Sequence, residues 1–177
     1  MRTLKFYYIS FLSLLFSFSS VGAQIKKDTV GCNIKQNDLR LEGKLFASAS
    51  PIFLRVYNEE FEYAVIQLGK RKGEIFLYFK IFTDNVCVKQ KQPLELYFEG
   101  GEMYILKNRF AVNCEGIAIV QLTNTDIKKI KKNNIAKIKL FTLKRDYEFS
   151  PTDVDNANLK NYLDCLKQYK VRKKTKQ

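Results

Sequence analysis

The 177-residue sequence contains no histidine, and this absence removes several chemistries at once. Without an imidazole there is no Ser-His-Asp or Cys-His triad, no histidine-ligated zinc or iron, and no histidine acid–base catalysis. The GxSxG, Walker and GxGxxG motifs are also absent. A carboxylate-dependent hydrolase using Glu59, Glu60 and Glu62 is the alternative, but adjacent acids at a strand start are usually solvated. The sequence therefore predicts a protein that is not an enzyme.

Acidic residues are scarce as well. The chain has 31 Lys and Arg against 18 Asp and Glu, which gives a formal net charge of +13. Such an excess attracts acidic partners over a long range, but cations spread over a surface only keep the protein soluble. Two clusters are candidate anion contacts: Lys70, Arg71 and Lys72 in a Gly69–Gly73 hairpin tip, and Lys128, Lys129, Lys131 and Lys132 on a short helix. A solubilising turn and a solvated helix face are the competing interpretations.

Long apolar runs are limited to the N-terminus. Arg2 and Lys5 precede the apolar residues 7–18, and small residues follow up to Ala23. This order is typical of a secretory signal peptide, residues 1–23, and the run is shorter than the ~20 residues that span a bilayer. We therefore expect an exported protein, periplasmic or secreted, without a transmembrane anchor in the mature chain.

A glycosylation candidate follows the predicted cleavage point. Asp28-Thr29-Val30 resembles the Asp-Thr-aliphatic sequence at which exported Bacteroidota proteins carry O-linked glycans, which makes Thr29 the candidate acceptor. A match of three residues also arises by chance, and an unmodified Thr29 is the competing interpretation.

The sequence has four cysteines, all beyond the predicted signal peptide: Cys32, Cys87, Cys114 and Cys165. They form no CxxC motif, so neither a zinc ribbon nor a thioredoxin-like redox pair is indicated. Four cysteines in an exported protein allow three disulfide pairings. We favour Cys114–Cys165 with Cys32–Cys87, because the first bond would attach the last helix to the sheet; buried free thiols are the alternative.

Metal and cofactor sites are not expected. Asp153 and Asp155 are spaced like the first two ligands of a calcium loop, but Ala157 occupies the third ligand position and no glycine follows. Acids in the first turn of a helix are the simpler interpretation.

The segment Glu74–Phe82 organises the predicted fold. Its apolar residues fall on both faces of an extended chain, so we expect a central strand with cover on each side. Gly100-Gly101 predicts a hairpin, Thr123–Asn134 predicts a short capped helix, and Ser150 as N-cap opens an amphipathic last helix. The expected class is α+β: an antiparallel strand-rich sheet or partly closed barrel, with one short helix and a C-terminal helix packed on the sheet.

The same patterns divide the chain into four parts. A polar, poorly patterned segment, residues 24–50, follows the signal peptide, and a single α+β domain occupies residues 51–170. Residues 171–177 form a basic tail, which we expect to be solvated because its charges have one sign.

A threonine-capped short helix precedes an extended segment in the second half of the chain. The relevant positions are Leu122, Thr123, Asp126–Ile130, Ile135, Ile138 and Lys139. Their order resembles a group of small, uncharacterised exported proteins of Bacteroidota, in which an Ile-x-x-Ile-Arg strand follows such a helix; here lysine replaces the arginine. The resemblance implies an exported α+β protein and brings no activity with it.

Three hypotheses for function remain. The first is a non-enzymatic envelope or secreted protein, an interaction or structural module whose partner is an envelope protein. The second is a binder of anionic polysaccharide or a membrane surface through the lysine-rich helix and tail, and the third is the carboxylate-dependent hydrolase. Nucleic acid is not an expected partner, because an exported protein rarely meets it and the aromatic residues lie in core-patterned strands. The oligomeric state is left open.

Overall fold

The structure is a computed structural model, and it describes residues 32–41, 44–55 and 62–171. The predicted signal peptide, Thr29, Glu59, Glu60 and the tail beyond Val171 lie outside the described residues. The strands, in chain order, are β1 (Lys35–Leu41), β2 (Lys44–Ser48), β3 (Ile52–Arg55), β4 (Tyr63–Arg71), β5 (Glu74–Phe82), β6 (Pro93–Phe98), β7 (Met103–Lys107), β8 (Ile117–Leu122), β9 (Ile135–Phe141) and β10 (Asp146–Phe149). The helices are α1 (Asn124–Lys132) and α2 (Asp153–Gln168).

β5 is the central strand that its sequence predicts. It pairs antiparallel with β4 on one side and with β8 on the other. Its inner-face residues Ile75, Leu77, Phe79 and Ile81 are buried. The first sheet has the order β1-β2-β4-β5-β8. β2 and β3 pair with the same edge of β4, β2 at its C-terminal end and β3 at its N-terminal end.

The outer face of the first sheet is covered less than the composition of β5 suggests. Phe76 is buried, but Tyr63 and Phe82 are each 37% exposed, and Phe53 is 59% exposed. The rings of Tyr63 and Phe82 stack with centroids 4.7 Å apart. The expectation of cover on each side of β5 is therefore wrong at this end of the sheet, where stacking of cross-strand rings replaces a covering element.

The second sheet has the order β10-β9-β6-β7 and is antiparallel throughout. Leu94, Leu96 and Ile138 are among its buried residues. Phe79 of the first sheet meets Phe149 of the second edge to face, with ring centroids 5.7 Å apart. The described strands form two sheets around one core and no closed barrel. The α+β class is confirmed.

The folded region extends further toward the N-terminus than residue 50. β1 pairs with β2, and β2 pairs with residues 69–71 of β4. Ala47 and Ala49 are buried. The expected boundary at residue 50 is therefore wrong. The segment joins the sheet by pairing with β4, which is distant in the sequence, and its own small and polar residues show little pattern.

The two helices carry equivalent N-terminal caps. Thr123 caps α1 as predicted: its hydroxyl accepts from the Asp126 N–H, and the Asp126 carboxylate accepts from the Thr123 N–H. The same reciprocal bonds at α2 join Thr152 and Asp155, so the predicted cap, Ser150, is wrong. Ser150 and Thr152 each have an aspartate three residues further along the chain. Thr152 rather than Ser150 is the cap because the pairing of β10 with β9 continues to Phe149, the residue before Ser150.

Asn156 connects α2 to the second sheet. It is 4% exposed, and its Oδ1 accepts from the Ile135 N–H at 2.8 Å. Its Nδ2 donates to the carbonyl oxygens of Ile135 and Thr152 at 3.0 and 3.1 Å. Because a buried backbone group without a partner costs about 1–3 kcal/mol, these bonds set the position of the helix on the strand specifically.

All four cysteines form disulfides, and the pairs are Cys32–Cys165 and Cys87–Cys114. The favoured pairing of Cys114 with Cys165 and Cys32 with Cys87 is therefore wrong. Isolated bridges already place residues 86–88 beside residues 113–115, which makes Cys87 and Cys114 neighbours. The last helix is attached to the start of the described chain, near β1, and not to this pair of segments.

We expect the two disulfides to contribute unequally to stability. Cys32–Cys165 spans a sequence separation of 133 and Cys87–Cys114 one of 27. Loop-closure entropy then gives a loss of about 5 kcal/mol for Cys32→Ala with Cys165→Ala, and about 3.5 kcal/mol for Cys87→Ala with Cys114→Ala. Urea unfolding of the two double variants measures the difference. Equal losses, or a non-reducing peptide map that joins Cys32 to Cys87, would contradict the assignment.

Candidate anion-binding cleft

The β4–β5 hairpin turns later than its glycines suggest. β4 continues through Arg71, and the turn consists of Lys72 and Gly73, whose φ angles are 50° and 86°. Two positive φ angles in succession are the requirement of a two-residue hairpin turn. Gly69 is a strand residue, where an added Cβ would lie 3.2 Å from the ring of Tyr78. Lys70 and Arg71 are therefore strand residues on opposite faces of the sheet.

Lys70 binds the C-terminal end of α2. Its Nζ donates to the carbonyl oxygens of Leu166, Lys167 and Tyr169 at 2.8, 3.1 and 2.9 Å. These carbonyls have no partner within a helix, and the negative end of the helix dipole favours a cation there. This predicted anion contact thus has three backbone acceptors, and it positions the hairpin against α2.

The other two cations of the hairpin point elsewhere. The Arg71 guanidinium lies 4.9 Å from the centroid of the Phe76 ring on the outer face. Lys72 is exposed at the tip of the turn. The three predicted contacts Lys70, Arg71 and Lys72 are therefore not one cluster.

The α1 lysines divide between two sides of the helix. Lys129 forms an ion pair with Glu102, which precedes β7, and Lys131 forms one with Asp164 of α2. Lys128 and Lys132 are exposed. Among the described residues, no carboxylate forms an ion pair with Lys128.

A cleft of about 720 Å³ lies between the β4–β5 hairpin, the end of β8, α1 and the end of α2. Its charged lining residues are four lysines and one glutamate: Lys70, Lys128, Lys131, Lys167 and Glu74. Thr123, Asn124 and Ile127 add polar and apolar surface from the start of α1. Lys128 and Lys167 are exposed, and the structure gives neither an ion pair within its described residues. The cleft therefore presents a net positive charge to solvent.

The structure brings together part of the predicted set and adds one residue. Lys70, Lys128 and Lys131 line the cleft, whereas Lys129 and Lys132 do not. Lys167 was not among the candidates because it opens the basic C-terminal run in the sequence. Lys167 follows Leu163 by four residues, a helical spacing that is the signal placing it on the last turn of α2, beside the Lys70 contact.

Of the three candidate carboxylates Glu59, Glu60 and Glu62, only Glu62 lies in the part of the chain that the structure describes, and it has a structural contact. Glu62 is 8% exposed and forms an ion pair with Arg145, which joins the start of β4 to the β9–β10 connection. The expectation that Glu62 is solvated is therefore wrong. Within the described ranges, no three His, Cys, Asp or Glu side chains gather in a way that could bind a metal ion.

Tyr104 ties β7 to the start of α1. Its hydroxyl donates to Asp126 Oδ1 at 2.5 Å, and Asp126 is also the capping acid of the helix. This hydrogen bond, together with partial desolvation, raises the pKa of Tyr104 from 10.0 to about 12. The contact fixes the N-terminal turn of α1, which forms one wall of the cleft.

Ionisation of Tyr104 should lower stability at alkaline pH. A pKa raised in the folded state means that the bond contributes fully below the unfolded value of 10.0 and loses its contribution as the pH rises to about 12. The wild type should therefore be more stable than Tyr104→Phe at pH 8, and this difference should shrink between pH 10 and 12 in thermal melts. A difference that stays constant over the whole range would contradict the assigned bond.

Comparisons with known proteins give no match to a family model, a curated protein or a solved structure. The resemblance to exported Bacteroidota proteins stays a prediction for that reason. Neither of the described helices has the length and apolar character needed to cross a membrane.

Proposed function

We propose that this chain is an exported, non-catalytic protein that binds an anionic polysaccharide in the cleft between the β4–β5 hairpin and α1. The observation that carries the proposal is the lining of that cleft, where four lysines meet one glutamate. Two of the lysines, Lys128 and Lys167, are exposed and form no ion pair with the described residues. Two disulfides are compatible with a periplasmic or extracellular location, where such polymers occur.

The shape of the site favours a polymer chain over a membrane surface. A cleft of about 720 Å³ is in the size range of small-ligand sites, which suits one or two charged sugar units. Its walls are the hairpin and two helices, and this concave shape fits a polymer chain more closely than a flat bilayer. The side-chain amide of Asn124 supplies hydrogen bonds that sugar hydroxyls can use, whereas the Thr123 hydroxyl is engaged in the α1 cap.

The lining also favours binding over catalysis. Lysine ammonium groups at neutral pH donate hydrogen bonds and positive charge, but they neither attack nor remove a proton. Among the described lining residues Glu74 is the only carboxylate, and it is exposed, whereas an acid–base pair of carboxylates needs a second one. A partner that is held by charge and released unchanged is consistent with this arrangement.

Removing the two exposed cleft lysines tests the proposal. In Lys128→Gln with Lys167→Gln, the affinity for a heparin-derived tetrasaccharide should fall about tenfold, because two contacts of about 0.7 kcal/mol are lost. Isothermal titration calorimetry in low salt measures the affinity, and the binding constant should fall with added salt.

The matched control is Lys35→Gln with Lys144→Gln, which removes the same charge from exposed positions outside the cleft lining. Its affinity should change less than about twofold, the effect of net charge alone. Equal losses in the two variants would reject the cleft as the site. Tighter binding to phosphatidylserine vesicles than to the oligosaccharide, unchanged in the cleft variant, would reject the polysaccharide as the partner.

A further inference from the structure

A second cationic groove lies at the far end of β7. It has a volume of about 520 Å³ and is lined by Gln90, Lys91, Lys107, Asn108 and Arg109. Three of these five residues are cations, and none is a carboxylate. Among the described residues, no carboxylate forms an ion pair with Lys91, Lys107 or Arg109. The cations of this groove are therefore not neutralised by the part of the chain that the structure describes.

Asn108 holds the two walls of this groove together. It is 1% exposed, and its Nδ2 donates to the Lys89 carbonyl at 2.9 Å. Backbone bonds join Lys91 N–H to the Asn108 carbonyl at 2.9 Å and Asn108 N–H to the Gln92 carbonyl at 3.0 Å. The turn that carries Lys91 is thus fixed beside Asn108, so cations from both walls line one groove.

The conformation of Lys91 adds to this arrangement. Its φ is 63°, in the left-handed region where glycine and asparagine are favoured. The Gln92 N–H donates to the Lys89 carbonyl at 3.2 Å, which closes a turn with Lys91 at its third position. A lysine at that position costs conformational energy and adds repulsion from the neighbouring cations, and a bound anion would offset both.

The groove and the cleft border the same strand. The Arg109 N–H donates to the Ile119 carbonyl of β8 at 2.8 Å, and its Nη1 donates to Gln121 Oε1 at 2.7 Å. Gln121 directly precedes Leu122, which lines the cleft. Adjacent strand residues are about 3.3 Å apart along the strand and point to opposite faces, and β8 is the last strand of its sheet. The Arg109 side chain therefore lies beside Gln121 on the outer face, one residue along β8 from Leu122 on the inner face.

We propose that the groove of Lys91, Lys107 and Arg109 is a second subsite for the same anionic polysaccharide, so that a chain held in the cleft crosses the β8 edge and continues on these cations. This inference rests on the proposed function of the cleft. It adds that affinity depends on chain length, because a chain that reaches both subsites makes the second contact intramolecularly.

Heparin-derived oligosaccharides of increasing length test the second subsite. Wild-type affinity should rise about a hundredfold from the tetrasaccharide to the dodecasaccharide. Lys91→Gln with Lys107→Gln and Arg109→Gln should keep the tetrasaccharide affinity within about twofold and lose most of the gain with length. The control Lys35→Gln with Arg55→Gln and Lys144→Gln removes the same charge and should keep the gain.

The outcomes separate this inference from the proposed function. If the tetrasaccharide binds and depends on Lys128 and Lys167, but the triple variant shows the wild-type gain with length, only the second subsite is overturned. If the wild type binds no oligosaccharide, both proposals are overturned. If the triple variant loses tetrasaccharide binding as strongly as the cleft variant does, the assignment of the groove as a secondary subsite is overturned.

A single substitution separates binding from folding. Lys91→Asn should raise the melting temperature, because asparagine adopts the left-handed conformation more readily than lysine, while it lowers the dodecasaccharide affinity. A higher melting temperature together with a lower dodecasaccharide affinity supports the subsite. A purely structural role of Lys91 would change neither the affinity nor its dependence on chain length. An unchanged dodecasaccharide affinity would overturn it.

Discussion

The contact between the Lys70 ammonium group and the C-terminal carbonyls of α2 determines the geometry of the cleft. It places a cation at the negative end of the helix dipole and satisfies three acceptors at once. The Cys32–Cys165 disulfide attaches the same end of α2 to the start of the described chain. Cys165 lies in the last turn of the helix, where its carbonyl accepts the Tyr169 N–H. The ion pair of Lys131 with Asp164 then brings α1 to α2. Together with the packing of Ile130, Leu163 and Leu166 in the core, these contacts set the separation between the hairpin and the helices that form the walls of the cleft.

Asparagine side chains fix turns and strand ends around the sheets by hydrogen bonds to backbone groups. Asn156 bonds both backbone groups of Ile135, and Asn108 holds the turn before β6. Asn113 accepts from the Ile117 N–H and donates to the Ile117 carbonyl, which supports the start of β8. Each amide supplies a donor and an acceptor where strand pairing is interrupted. Asn108 and Asn156 are also buried, and fully bonded buried groups favour one arrangement of the chain over close alternatives.

Local sequence was sufficient where a short pattern contained the whole interaction. Glu74–Phe82 and the Thr123 cap of α1 were both predicted correctly, since strand alternation and a capping box involve only neighbouring residues. Local sequence is insufficient where a contact between residues far apart in the chain determines the structure. The glycines predict a turn that includes Gly69, whereas Gly69 is a strand residue where an added Cβ would lie tightly against the ring of Tyr78 across the hairpin. The disulfide pairing and the place of β1 and β2 in the sheet likewise depend on partners far along the chain.

The residues of the candidate site also divide into those that local sequence predicts and those that it does not. Lysines 128 and 131 could be identified from their spacing on a short cationic helix. Lys167 could not, because it reaches the cleft only when α2 docks on Lys70. Most residues of the second groove, Lys91, Lys107 and Arg109, lie in segments without a continuous basic run, and the backbone pairing around Asn108 brings them together.

The central claim is that an anionic sugar chain lies between the β4–β5 hairpin and α1. A titration of the ¹⁵N-labelled protein with a heparin-derived tetrasaccharide, followed by amide and lysine side-chain NMR shifts, tests it most directly. We expect the largest shifts at Gly73–Ile75, Leu122–Lys128 and Lys167, which surround the cleft. Shifts of equal size at Lys35 and Lys144, or none at Lys128 and Lys167, would contradict the account.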